Sequence, residues 1–102
     1  MRIAVFGAAG WLGRAVLAGA VGRAEVRAFD RGPEAWDEWK DIDGDFAGDV
    51  VHGDITDFST VAAAVSAMDA VIHTAVYYPR GDVDNDTRPF LINIKGLWNV
   101  LE

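Results

Sequence analysis

The chain has 102 residues, 51% hydrophobic and 25% charged, with 9 Lys and Arg against 16 Asp and Glu for a formal charge of -7. That length allows one hydrophobic core and excludes two full domains, and the acidic balance offers no general attraction to nucleic acid or anionic lipid. There is no cysteine, which excludes a disulfide framework, a thiolate zinc site and a cysteine nucleophile, and suits a reducing cytoplasm.

Arg2 to Phe6 reads as a first strand, a short apolar run of the kind found in a covered parallel sheet. Gly7, Gly10, Gly13 and Arg14 interrupt the apolar opening, so no export signal is expected, and Asn85-Asp86-Thr87 is a chance match to a glycosylation sequon. A helix is predicted from Trp11 to about Val21, with Leu12, Ala15, Val16 and Gly19 as the stripe that lies on the sheet and Gly22-Arg23 at its stop. Glu25 to Phe29 is a second strand and Asp49 to His52 a third. Thr56 or Asp57 caps a helix running through Val61, Ala62, Val65 and Met68, and Ala70 to Thr74 is a fourth strand. A polar stretch, Tyr77 to Arg88, leads to a last helix opened by Pro89, with Phe90, Ile94, Leu97 and Leu101 on one side.

Strands and helices that alternate at this spacing imply right-handed crossovers and a parallel sheet, hence the α/β class. No apolar run approaches the roughly 18 to 20 residues of a membrane span. Charge is uneven: residues 30 to 57 hold ten of the acids and only Arg31 and Lys40 as bases. Within this stretch Trp36 and Trp39 are three residues apart among acids, a pattern for a short amphipathic helix on the sheet or for a partner-docking knob.

The strongest chemical signal is Gly7-Ala8-Ala9-Gly10-Trp11-Leu12-Gly13, placed after a strand and opening a helix. Gly7 permits a conformation closed to other residues, Gly10 lets the main chain approach a pyrophosphate, and Gly13 lets the helix sit close to the sheet. The helix N-terminus, at Trp11 and Leu12, offers amide groups and partial positive charge to phosphates. Asp30, 17 residues past Gly13 at the end of the second strand, can accept both adenosine ribose hydroxyls and would repel a 2′-phosphate. NAD is therefore favoured over NADP, although the neighbouring Arg31 could bind that phosphate.

Three glycines spaced GxxGxxG resemble the short-chain dehydrogenase/reductase superfamily, and within it the extended branch of NAD-dependent epimerases and dehydratases. Gly53-Asp54-Ile55-Thr56-Asp57 resembles the family's GDLTD turn, which implies that Asp54 hydrogen-bonds the adenine amino group and that Ile55 packs on the ring. Val71-Ile72-His73-Thr74-Ala75 resembles the family's VIHLAA strand, which implies that Thr74 and Ala75 lie beside the nicotinamide half. Asn93 to Glu102 resembles the NxxGTxNLLE helix, with Leu97 where Thr is usual; Asn93 then supports the active site by hydrogen bonding, and the helix contributes to a homo-oligomer. The implied fold is a Rossmann-like α/β/α sandwich with strand order 3-2-1-4, truncated.

The family's chemistry uses a Tyr-x-x-x-Lys pair. Here Tyr77 is followed four places later by Gly81 and Tyr78 by Asp82, and the only lysines are Lys40 and Lys95. Residues 1 to 102 are thus expected to be the N-terminal cofactor-binding part of such an enzyme, without catalytic half or substrate domain, and to catalyse nothing alone. The alternative is a non-catalytic interaction or sensor module, contacting its partner through Trp36, Trp39, the last helix or an open sheet edge. The acidic loops Asp41 to Asp45 and Asp82 to Asp86 lack the Gly and Glu of a calcium loop, and His52 and His73 fit no zinc motif, so no metal is expected.

Overall fold

A computed structural model describes residues 1–38, 40–44, 46–77 and 87–102, with the side chains of 42 and 43 outside the description. Four parallel strands, β1 (Arg2–Phe6), β2 (Glu25–Asp30), β3 (Asp49–His52) and β4 (Ala70–His73), form one sheet in the order β3-β2-β1-β4. The expected order and class are borne out. The register pairs Phe6 with both Phe29 and His73, and Asp30 with His52, which brings the C-terminal ends of all four strands to one edge.

Alternation along the strands divides the core between the two faces, since successive side chains point to opposite sides. Ala4, Phe6 and Phe29 face one side, where they meet Ile55, Val61 and Ala64. The Phe6 and Phe29 rings lie 4.7 Å apart at 45°. Val5 and Ala28 face the other side, with Ala8, Leu17 and the partly buried Trp36 and Phe46. Helices α1 (Trp11–Ala20), α2 (Pro33–Asp37) and α3 (Lys40–Asp43) follow the strands β1 and β2, and α4 (Phe58–Val65) follows β3. The chain after β4 ends in α5 (Arg88–Phe90), a π-helical turn over Leu91–Gly96, and α6 (Leu97–Leu101).

Helix existence agrees with the sequence, but the phase of α1 does not. In α1 the buried residues are Gly13, Arg14 and Leu17, whereas Leu12, Ala15 and Gly19 of the expected stripe are exposed. The reason is steric: a Cβ on Gly13 would collide with Gly7 O and stand 2.7 Å from Ala8 Cα, so this glycine must face inward and sets the rotation of the helix. Gly13 therefore packs against the glycine turn itself. In α4 the expected Val61 and Val65 do face the core, together with Ala64, and Met68 packs on the same core beyond the helix end at Val65; of the expected residues only Ala62 is exposed. Asp57 is its N-cap, accepting from Ser59 N at 3.1 Å.

In the last helix the apolar side expected from the sequence faces outward. Phe90, Ile94, Leu97 and Leu101 are all exposed, and the inner side is made by Ile92, Gly96, Asn99 and Val100. Close approach chose that side: a Cβ on Gly96 would stand 2.8 Å from Ile55 Cγ2, and Asn99 Nδ2 donates to Ile55 O at 2.9 Å. The amphipathic reading of residues 33 to 40 resolves into α2 and α3, with Trp36 stacked on Phe46 at 6.2 Å; Trp39 lies outside the described residues, as does most of the polar stretch, 78–86.

Candidate functional site

The site is the edge where the four strands end. Gly7 follows β1 with φ of +74°, a left-handed conformation that costs other residues roughly 1–2 kcal/mol. Its second constraint is space: a Cβ there would stand 2.5 Å from Ala75 N. Gly7 N and Ala8 N both donate to Phe29 O, at 3.0 and 3.1 Å, so the turn is stitched to the end of β2. Gly10 differs from its two neighbours in the motif. Its φ is -74°, and a Cβ would meet nothing nearer than Gly7 O at 3.4 Å. Nothing inside the protein requires glycine at position 10.

Gly10 is also the N-cap of α1 and makes no side-chain cap, and the first turn of the helix holds no acid. Arg14 N donates to Gly10 O at 2.9 Å as the first bond of the helix. The amides of Trp11, Leu12 and Gly13 precede it and have no intrahelical acceptor. Trp11 and Leu12 project outward, 79% and 62% exposed, so what they offer to the edge is main chain. The result is a side-chain-free patch at the positive end of a ten-residue helix, the geometry that suits a phosphate.

Asp30 closes this patch from the end of β2. Its Oδ2 accepts from Ala9 N at 2.9 Å and its Oδ1 from Arg31 N at 2.8 Å. Its own carbonyl accepts from Gly53 N at 3.0 Å, tying the turn after β3 to the same point. The half-buried carboxylate is thus fixed beside the glycine turn, with the exposed Arg31 next to it.

Other expected site residues are placed less directly. Asp54 is exposed and its Oδ1 accepts from Thr56 N at 2.9 Å and from Thr56 Oγ1 at 2.7 Å, an Asx turn ahead of α4. Ile55 departs from the expectation that it stacks on a ring, because its side chain is 6% exposed and sits among Phe6, Phe29 and Val61. Burial in the core outcompetes a surface role for that side chain. Thr74 Oγ1 donates to Phe6 O at 2.8 Å and lies 3.2 Å from Gly7 O, clasping β4 to the glycine turn. Ala75 supplies the backbone against which Gly7 rests.

Asn93 makes a two-point contact: Oδ1 accepts from Tyr77 N at 2.7 Å and Nδ2 donates to Tyr77 O at 3.0 Å. It holds the segment leaving β4 in place. Two polar residues were not singled out from the sequence, Arg14 and Asn99, both buried. The signal for each was a polar residue next to a helical glycine or on a helix side that turned inward. His73 lies edge-on to Phe6 with Nδ1 buried, and burial lowers its pKa below the usual imidazole value. Among the described residues no group of three acids or histidines could hold a metal ion, and no helix is long and apolar enough to cross a membrane.

Solved proteins share this fold. A variant of uronate dehydrogenase from Agrobacterium tumefaciens, complexed with NAD, matches 98% of this chain at 29% identity and a TM-score of 0.74. A short-chain dehydrogenase/reductase superfamily protein from the same organism, with bound NAD, matches 99% at 30% identity and 0.77. The chain spans 34% and 28% of those two proteins. Curated relatives from two strains of Mycobacterium tuberculosis, each a 3 beta-hydroxysteroid dehydrogenase/Delta 5→4-isomerase, are 33% identical over 98% of this chain, which spans 27% of their length. The resemblance read from GxxGxxG and its companion motifs is borne out, and a family model matches residues 4–102: the chain belongs to the 3-beta hydroxysteroid dehydrogenase/isomerase family.

Proposed function

We propose that this chain binds the adenosine diphosphate half of NAD across the C-terminal edge of its sheet, as the cofactor-binding part of a dehydrogenase. The observation that carries this is Gly10: it has no internal reason to be glycine, and it lies at the uncapped N-terminus of α1 opposite the fixed carboxylate of Asp30. In this reading the Trp11, Leu12 and Gly13 amides meet the pyrophosphate while Gly7 and Gly13 hold the turn. Asp30 accepts the ribose hydroxyls, and its charge disfavours the extra phosphate of NADP even with Arg31 beside it. Asp54 lies at the adenine end; Ile55 contributes main chain only. Thr74 and Ala75 flank the nicotinamide end, and Asn93 steadies the segment that follows. When bound, the dinucleotide supplies a hydride acceptor or donor; the chain supplies binding and orientation.

The relatives named above differ in substrate, steroid in one case and uronate in another, so the shared element is the cofactor edge. The chain holds no Tyr-x-x-x-Lys pair, and we infer that these residues bind cofactor without turning over substrate. We further infer a homo-oligomer, supported by the exposed Phe90, Ile94, Trp98 and Leu101, no nucleic-acid partner given the charge of -7, and a cytoplasmic setting given the absence of cysteine. Calorimetry tests the central claim: NAD and ADP-ribose should both give saturable heat. A flat titration up to millimolar ligand refutes it.

A further inference from the structure

Among the described residues Arg14 is the one buried charged side chain, 6% exposed, and it pairs with no described carboxylate. Its guanidinium is instead divided among carbonyls of three separate segments. Nε donates to Ala9 O at 3.1 Å, Nη1 to Gly44 O at 3.2 Å and Nη2 to Trp36 O, while the guanidinium carbon lies 5.2 Å from the centre of the Trp36 ring. Burying an unpaired cation is costly, and packing alone would be served as well by an apolar side chain of similar length. The fork geometry of arginine is what reaches three acceptors at once.

Those acceptors belong to the glycine turn, at Ala9, and to the segment that follows Asp30, at Trp36 and Gly44. The Ala9-Gly10 peptide is held at both edges, its carbonyl by Arg14 and its amide by Gly7 O at 3.1 Å. Ala9 N meanwhile donates to Asp30 Oδ2. Trp36 and Gly44 belong to the segment between β2 and β3, which begins directly after Asp30, and Trp36 stacks on Phe46 there. One side chain therefore joins the glycine turn, whose Ala9 amide holds the Asp30 carboxylate, to the segment after β2.

We propose that Arg14 is a positioning residue for the adenosine half of the dinucleotide, holding Ala9, and through it Asp30, together with the α2–α3 segment in their binding arrangement before ligand arrives. This rests on the NAD reading above. Preorganisation of this kind raises affinity by removing ordering costs from the binding step. It also fixes the carboxylate that separates NAD from NADP, so loss of Arg14 has a signature that general loosening lacks.

The test compares NAD and NADP affinities of the wild-type chain with Arg14→Lys and Arg14→Gln, with folding checked by circular dichroism. The expected result is a folded variant whose NAD affinity falls tenfold or more while its NADP affinity falls less, narrowing the preference. A folded variant with wild-type affinities, or with equal losses for both cofactors, overturns the proposal and leaves the NAD reading standing. A wild-type chain that binds neither cofactor overturns both. If both Arg14 variants unfold, Trp36→Leu removes the ring under the guanidinium and keeps its carbonyl; it should narrow the preference in the same direction, and an unchanged ratio overturns the proposal.

Discussion

Gly7 and Ala75 meet back to back where β1 and β4 end, so closely that a Cβ on Gly7 would stand 2.5 Å from Ala75 N. With φ of +74° the position is closed to side chains twice over. Gly7→Ala should cost at least about 1–2 kcal/mol from backbone conformation alone, plus the displacement of β4, and be visible as a large loss of melting temperature. Gly10→Ala should melt close to wild type and yet lose NAD binding. Equal melting losses for the two variants would show that Gly10 has an internal role.

Asp30 gives a second prediction. Asp30→Ala should weaken NAD by tenfold or more, about 1.4 kcal/mol, and weaken NADP less, because the removed charge is the one that repels a 2′-phosphate. Asp30→Asn controls for the bond from Ala9 N, which an amide oxygen can still accept. Paired titrations of the two cofactors measure it, and parallel losses would remove the ribose role.

Asn93 holds Tyr77 by two hydrogen bonds from one amide. Asn93→Ala removes both hydrogen bonds to the Tyr77 main chain, for an expected loss of about 1–3 kcal/mol in urea unfolding. Asn93→Asp keeps the acceptor and removes the donor, and should fall between the two. A variant as stable as wild type would reduce Asn93 to a surface residue.

His73 makes stability pH-dependent. Burial lowers its pKa below 6.5, so as pH falls past 6.5 the unfolded chain takes up a proton that the folded chain resists, and stability drops. The contribution is whole above 6.5 and is lost on acidification toward the folded value. Melting temperature followed from pH 7.5 to 5.5 should decline less steeply in His73→Leu. Asp57, whose carboxyl is held low by Ser59 and then Thr60, acts at more acidic pH: its stabilisation is present above the unfolded carboxylate value near 3.8 and lost below it.

Self-association is the fifth expectation. Phe90, Ile94, Trp98 and Leu101 make an exposed apolar surface on the last helix. Sedimentation of the wild-type chain should show concentration-dependent association, and Ile94→Glu should abolish it with unchanged circular dichroism. A wild-type monomer at high concentration counts against the homo-oligomer.

The strands and the glycine turn were legible without coordinates because both are local. β1 and β3 run as expected from Arg2–Phe6 and Asp49–His52, since short apolar runs between turn signals carry their own boundaries. Strand order followed from family topology, and Asp30 from its spacing to Gly13. The rotation of α1 and of the last helix was not legible, whereas Val61, Val65 and Met68 do pack on the core as their spacing predicts. Apolar spacing in the last helix groups Phe90, Ile94, Leu97 and Leu101 on one side without saying where that side points; those residues are exposed, and Gly96 and Asn99 face the core. Arg14 and Ile55 followed the same rule, drawn inward by contacts with residues distant in the chain. Periodicity reports how much apolar surface a helix has, but the side that turns inward is chosen where two backbones come closest. At Gly13 over Ala8 and Gly96 over Ile55 that choice belongs to steric contacts that exist only once the chain has folded.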